Sequence, residues 1–162
     1  MRKLLTTLCI AAVLPFGTTE GWGADFQKGL DAAVRGDHAT ALHEWIPLAE
    51  QGNAAAQFQL GWMYSKGEGV SEDDQEAVKW YRLAAEQRHA HAQYNLGLLY
   101  ESGYGVLQDN IYAHMWGNIS ALNQYVDGLK LRDRVEKKMT VADISVAQKL
   151  ARECEKKEYK GC

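Results

Sequence analysis

The sequence predicts an all-α fold: an α-solenoid of stacked antiparallel helix hairpins, closed by a C-terminal pair of capping helices. Three observations predict it. One 36-residue segment is written twice in succession, as residues 54–89 and 90–125. In each copy small and apolar residues recur at helical spacing. A two-glycine break divides each copy into halves. A period of this length marks a unit that cannot bury its own apolar face and stacks on its neighbours to do so.

Residues 1–23 are expected to be a secretory signal. Arg2 and Lys3 give a charged start, and the apolar run Leu4–Phe16 is too short to span a bilayer. Gly21-Trp22-Gly23 places small residues where a signal peptidase reads them, so cleavage is expected after Gly23. Cys9 lies inside the apolar run and lacks the flanking pattern of a lipoprotein cysteine. Cleavage leaves 16 basic and 20 acidic residues and two cysteines, Cys154 and Cys162.

Residues 24–53 predict a degenerate, N-terminal capping repeat. Phe26, Leu30, Ala33 and Val34 form a helical stripe. Gly36-Asp37 is a short turn, and Ala41 and Ala49 correspond to Ala77 and Ala85 of the next unit. Trp45 falls one place later than Trp80 predicts. Pro47 removes one backbone bond from this second helix and is expected to kink it. Gln51-Gly52-Asn53 closes the unit.

Residues 54–89 are the first full repeat. Ala56, Leu60 and Tyr64 share one face, with Gly61 beside them. Gly67-Glu68-Gly69-Val70 ends the helix, because two glycines supply the positive φ of a tight reversal. Asp73 or Asp74 caps the second helix, whose stripe is Ala77, Trp80, Tyr81 and Ala84. Residues 90–125 repeat the pattern with Ala92, Leu96, Gly97, Tyr100, Gly103, Gly105, Val106, Ala113, Trp116 and Ala121.

The period is lost in residues 126–162. Leu129, Leu131, Val135 and Met139 predict a helix starting near Asp127. Thr140-Val-Ala-Asp143 has the form of a capping box and opens a last helix with Ile144, Ala147, Leu150 and Ala151 inward. An even cysteine count in an exported chain favours a Cys154–Cys162 disulfide, with free thiols or interchain pairing as the alternatives. So short a closed loop stabilises by roughly 2–3 kcal/mol in the chain-entropy account.

The pattern A-x-A-Q-aromatic-x-L-G-x-x-Y-x-x-G-x-G-V, followed by A-x-x-W and A, resembles the Sel1-like repeat, a relative of the tetratricopeptide repeat. The segment from His114 to Cys154 resembles the C-terminal extension of bacterial exported Sel1-like proteins. The resemblance implies a right-handed solenoid used for protein–protein contact. It implies no reaction.

Chemistry-bearing patterns are few. A β-lactam- or peptidoglycan-acting enzyme is the alternative reading, carried by family analogy alone. Its S-x-x-K pair does not occur in the sequence. Ser145 and Lys149 are four apart and read as a surface pair. His89 and His91 form H-x-H without a third ligand nearby. His38 and His43 are expected on one side of the first hairpin, and His114 on an exposed face. No catalytic, cofactor-binding or metal-binding residue is assigned. Residues 24–126 carry 6 basic and 13 acidic residues, whereas 127–162 carry 10 and 7. No aromatic-rich basic face points to nucleic acid, and no stable membrane insertion is expected after cleavage.

The candidate binding face is the variable part of the first helix of each repeat: Gln59, Trp62, Met63 and Lys66, then Asn95, Leu98, Leu99 and Ser102. Large apolar residues there are either core or the lining of a groove for a peptide or helix. The expected function is a non-enzymatic adaptor of the bacterial cell envelope, periplasmic or secreted, holding another protein or peptide on this face. Its oligomeric state is left open.

Overall fold

The computed structural model describes residues 19–162, which form eight α-helices and no strand. They are α1 (Thr19–Val34), α2 (His38–Glu50), α3 (Ala54–Lys66), α4 (Asp74–Ala85), α5 (Ala90–Ser102), α6 (Asn110–Leu122), α7 (Asp127–Glu136) and α8 (Val141–Lys156). The charged start and apolar run of the expected signal, Cys9 included, lie outside the described residues. Three hairpins, α1–α2, α3–α4 and α5–α6, stack in chain order, and each first helix packs on the second helix of the hairpin before it.

Local chemistry sets the boundaries. Asp37, Asn53, Asp73, His89 and Asp109 each accept a backbone N–H in the first turn of α2 to α6. Thr140 and Asp143 form a reciprocal capping box on α8. Gly67 and Gly103 end α3 and α5 in the left-handed conformation (φ +65° and +78°). Helix α2 continues through Pro47 to Glu50.

The second glycine of each break has a different task. A Cβ on Gly69 would sit 2.6 Å from Cβ of His38, and one on Gly105 would sit 2.2 Å from the Asp74 carbonyl oxygen. His38 and Asp74 are equivalent positions at the start of α2 and α4. Each glycine loop therefore seats its backbone on the second helix of the preceding hairpin. Gly36 has no such neighbour among the described residues.

A glutamine joins the hairpins at their other end. Gln57 Nε2 donates to the Ala49 carbonyl (3.0 Å) and its Oε1 accepts from Gln87 Nε2 (2.7 Å). One repeat later, Gln93 Nε2 donates to the Ala85 carbonyl (3.0 Å) and its Oε1 accepts from Asn123 Nδ2 (2.9 Å). Each buried amide thus ties three helices together. Around these bonds Ala56, Ala77, Ala92 and Ala113 are fully buried, which lets the helices approach closely.

Beyond α6 the stacking changes. Helix α7 takes the place of a further first helix and crosses α6 where Gly117 and Gly128 touch; a Cβ on Gly128 would lie 2.5 Å from the Gly117 carbonyl oxygen. Helix α8 also packs on α6, and Ala151, Cys154 and Tyr159 join the core of α4 to α6. The last two helices are held by α6 more than by one another. Cys154 and Cys162 form a disulfide with Cα atoms 5.6 Å apart. The tail is further held by Gly161 N–H donating to Glu86 and by Arg88 over the Tyr159 ring.

Two expectations are corrected. Val34 is 87% exposed at the end of α1, so the inward stripe there ends at Ala33. His114 is 1% exposed rather than on an open face. The turn into α7 brings Glu136 to 3.5 Å from its Nε2, and burial holds its imidazole below the ordinary value.

Two measurements check this account. Gly105→Ala is expected to lower stability by about 2 kcal/mol or more, since strain at positive φ adds to a backbone clash; Gly36→Ala should cost about 1 kcal/mol, from φ alone. Denaturant midpoints compare the two. Glu101 accepts from Arg134 Nε (3.0 Å) and Lys138 Nζ (2.9 Å), joining α5 to the α7 end. These bonds, Arg134 first, pull its carboxyl down to about 2 from 4.5. A depressed carboxyl contributes stability above its ordinary value and loses it as pH falls toward the folded value. Glu101→Gln should therefore cost about 1–2 kcal/mol at pH 7, discounted for half-exposed cations. The difference from the parent should fade between pH 4.5 and about 2.

Candidate functional site

Helical spacing turns Gln59, Trp62 and Lys66 of α3 and Asn95 of α5 away from the hairpin cores, whereas Leu98 of α5, half-buried, also packs against the core of Ala113, Leu131 and Val135. Two grooves lie along this face. The larger, ≈ 460 Å³, runs between α3 and α5 and is lined by Trp62, Lys66, Asn95, Leu98 and Leu99 of the expected residues. The other, ≈ 290 Å³, runs between α1 and α3 and is lined by Gln59, Trp62 and Met63 among others. Trp62 is common to both and forms the ridge between them.

The two grooves are the same feature one repeat apart. Gln59, Trp62 and Met63 in the first correspond to Asn95, Leu98 and Leu99 in the second. Trp45 corresponds to Tyr81 and His38 to Asp74. Glu68, the residue between the paired glycines, corresponds to Tyr104. The stacking contact that seats each glycine loop on the preceding hairpin thus also carries the variable loop residue to the groove edge.

The larger groove combines aromatic faces with polar groups. Trp62 is 41% exposed and Tyr104 62% exposed. Lys66 Nζ sits 5.2 Å from the centroid of the Trp62 ring, a cation–π distance. Tyr81 is buried, and Ser65 Oγ lies 3.4 Å from its hydroxyl. Burial pushes that phenol up, so it stays protonated and able to donate. Glu72 and Asp74 line the same groove. Such a surface can hold an apolar or aromatic anchor and orient it with a few hydrogen bonds. Among the described residues the Ser65 hydroxyl on this lining donates to the Trp62 carbonyl and lies beside Tyr81.

The expected residues divide. Trp62, Lys66 and Ser102 are exposed, and Gln59, Asn95 and Leu98 are half-buried. Met63 (2% exposed) and Leu99 (8%) belong to the core, which corrects their placement on the face. Each lies three residues after Leu60 or Leu96 and shares its buried side. The Met63 Cε also fills the space beside Gly69, 3.2 Å from where a Cβ would be. Ser102 lines neither groove and donates to the Leu98 carbonyl. Ser65, Glu72, Asp74, Tyr81 and Tyr104 were missed. Tyr104 carried a signal, being a large aromatic between two turn glycines where its equivalent is Glu68.

Other candidates resolve into structure. His89 stacks on Phe58 (centroids 4.6 Å) and caps α5, its Nδ1 accepting from Ala92 N–H. Burial, with His91 adding to it, lowers its affinity for a proton. His91 packs on Tyr125 (4.2 Å). His38 lies against Gly69, whereas His43 points outward beside Glu44. Ser145 is exposed, and Lys149 faces Glu153 at 3.8 Å.

Comparison with known proteins agrees with the geometry. The model of the Sel1 repeat matches residues 54–89 and 90–125. A protective antigen of uropathogenic Escherichia coli with an SLR fold is 31% identical, with a TM-score of 0.80 over 85% of this chain and 31% of that one. A Sel1 repeat protein from Oxalobacter formigenes is 33% identical, with a TM-score of 0.63 over 65% of this chain and 44% of that one. The chain thus spans less than half the length of either structure. No curated protein matches it significantly.

The division between groove and core has a direct check. Trp62→Ala should change stability by no more than about 1 kcal/mol, and Met63→Ala should cost about 2–4 kcal/mol, both read from thermal or urea unfolding.

Proposed function

Since residues 54–125 of this chain are two Sel1 repeats within a stack of helix hairpins, we propose that it is a protein-binding scaffold whose docking face is the pair of grooves along α1, α3 and α5. Sel1 repeats commonly serve as protein-interaction scaffolds. The observation that carries the reading is Trp62. A tryptophan 41% exposed on the ridge between two equivalent grooves is the kind of anchor that dominates binding energy when a partner covers it. Leu98 is its equivalent one repeat on.

Export to the cell envelope belongs to the same proposal. The Cys154–Cys162 disulfide fits an oxidising compartment, and the first residues have the composition of a secretory signal. Among the described residues no helix is long and apolar enough to cross a membrane. The scaffold works without catalysis: it buries apolar area in the grooves, while Gln59 and Asn95 set the register of the bound segment.

A photo-crosslinking residue at Trp62 or Leu98, with Ser145 as control, tests the face. A discrete adduct from the first two positions and none from Ser145 is the expected outcome. Adducts of equal yield at all three, or none at Trp62 and Leu98 in a correctly exported chain, would refute the docking face.

A further inference from the structure

Resting on the docking face above, we propose that the occupant of the paired grooves is a cationic peptide segment: an extended or helical stretch with one apolar anchor for each groove and Lys or Arg side chains beside them. Four observations carry this. Repeat symmetry makes the two grooves equivalent and contiguous, with Trp62 as their shared wall. A ligand that fills one groove is thereby led into the next, and its anchors are spaced by the repeat.

The charge on the linings is one-sided. Glu68 lines the first groove, and Glu72 and Asp74 line the second. Lys66 is the one lysine or arginine on either lining. All three carboxylates come from the glycine loop or the start of the helix after it, so they share the rim formed by the loops. None makes a side-chain ion pair among the described residues. This separates them from Glu44 and Glu101, which are satisfied by cations of the chain itself.

The Trp62 indole already receives a cation. Lys66 Nζ lies 5.2 Å from the ring centroid, one helical turn along the same exposed face. A partner's guanidinium or ammonium can take that position, joined by attraction to Glu72 and Asp74. Finally, the region from Ala24 to Val126 carries 13 acidic residues against 6 basic ones. This field steers a basic segment toward the face and repels an acidic one.

Selection from a random dodecapeptide library displayed on phage tests the inference with the folded protein. Peptides with a net positive charge and two apolar positions are expected to be enriched. Synthetic copies should bind the Glu68→Gln, Glu72→Gln, Asp74→Asn triple variant about tenfold more weakly, and high salt should weaken their binding to the parent. Lys66→Gln should tighten binding by removing the competing cation. Circular dichroism confirms that each variant is folded. Enrichment of neutral or acidic peptides, or a triple variant that binds as the parent does, overturns the cationic occupant while leaving the grooves as the docking face. Selection that yields no peptide above background, or peptides that bind a folded Trp62→Ser, Leu98→Ser variant undiminished, overturns both.

Discussion

The stack depends on one buried amide per repeat. Gln57 and Gln93 each give their N–H to a carbonyl at the end of the preceding hairpin and take one from a side chain just past the end of their own. A helix end leaves its last carbonyls without intrahelical α-bonds; the Ala49 and Ala85 carbonyls accept from the N–H groups of Gly52 and Arg88 in the closing turns, and the glutamine gives each a second donor from the next hairpin. An apolar residue of the same size would remove both bonds, at about 0.5–1.5 kcal/mol each, while Gln87 and Asn123 keep the Leu83 and Ile119 carbonyls. The glutamine adds a directional bond across each hairpin junction. The register between hairpins follows from it.

Much else is arranged around that register. Fully buried alanines allow the approach, and the paired glycines complete it at the opposite end of the helices. The groove is a by-product of the same geometry: its floor is Trp45 or Tyr81, and its edge is the residue that the glycine loop carries forward. The repeat thus holds its framework constant while three or four positions per unit remain free to set what is recognised.

The architecture was legible because its determinants are local. Period, caps and turn glycines act within a few residues of one another, so Asp73, Gly67 and the Thr140 capping box show in the chain itself. Trp62, Lys66, Asn95 and Leu98 were legible as groove residues for a related reason: repeat periodicity plus helical spacing separates framework from variable positions. What escaped depends on partners far along the chain. Gln57 stood in the motif, yet its meaning lies in Ala49 and Gln87. His114 looked exposed until α7, whose register no repeat announces, covered it. Met63 and Leu99 were large residues at variable positions, and only their burial in the folded stack, Met63 in the space beside Gly69, shows that they fill the interior. Helix α8 carries no sign in its own residues that it lies along α6.

The seating of Gly69 and Gly105 on the hairpin before them gives the chain a direction. Each full repeat reaches backward with its loop, and each presents the start of its second helix as the seat for a loop to come. The first hairpin offers a seat at His38 but has only Gly36 for a turn, and it reaches for nothing. Its turn lacks the backbone seat that the loops of 54–89 and 90–125 make. Modules such as 54–89 and 90–125 fit at any interior place. A solenoid built this way lengthens by copying its middle, which leaves the two ends, each made to a different pattern, as the parts that limit its growth.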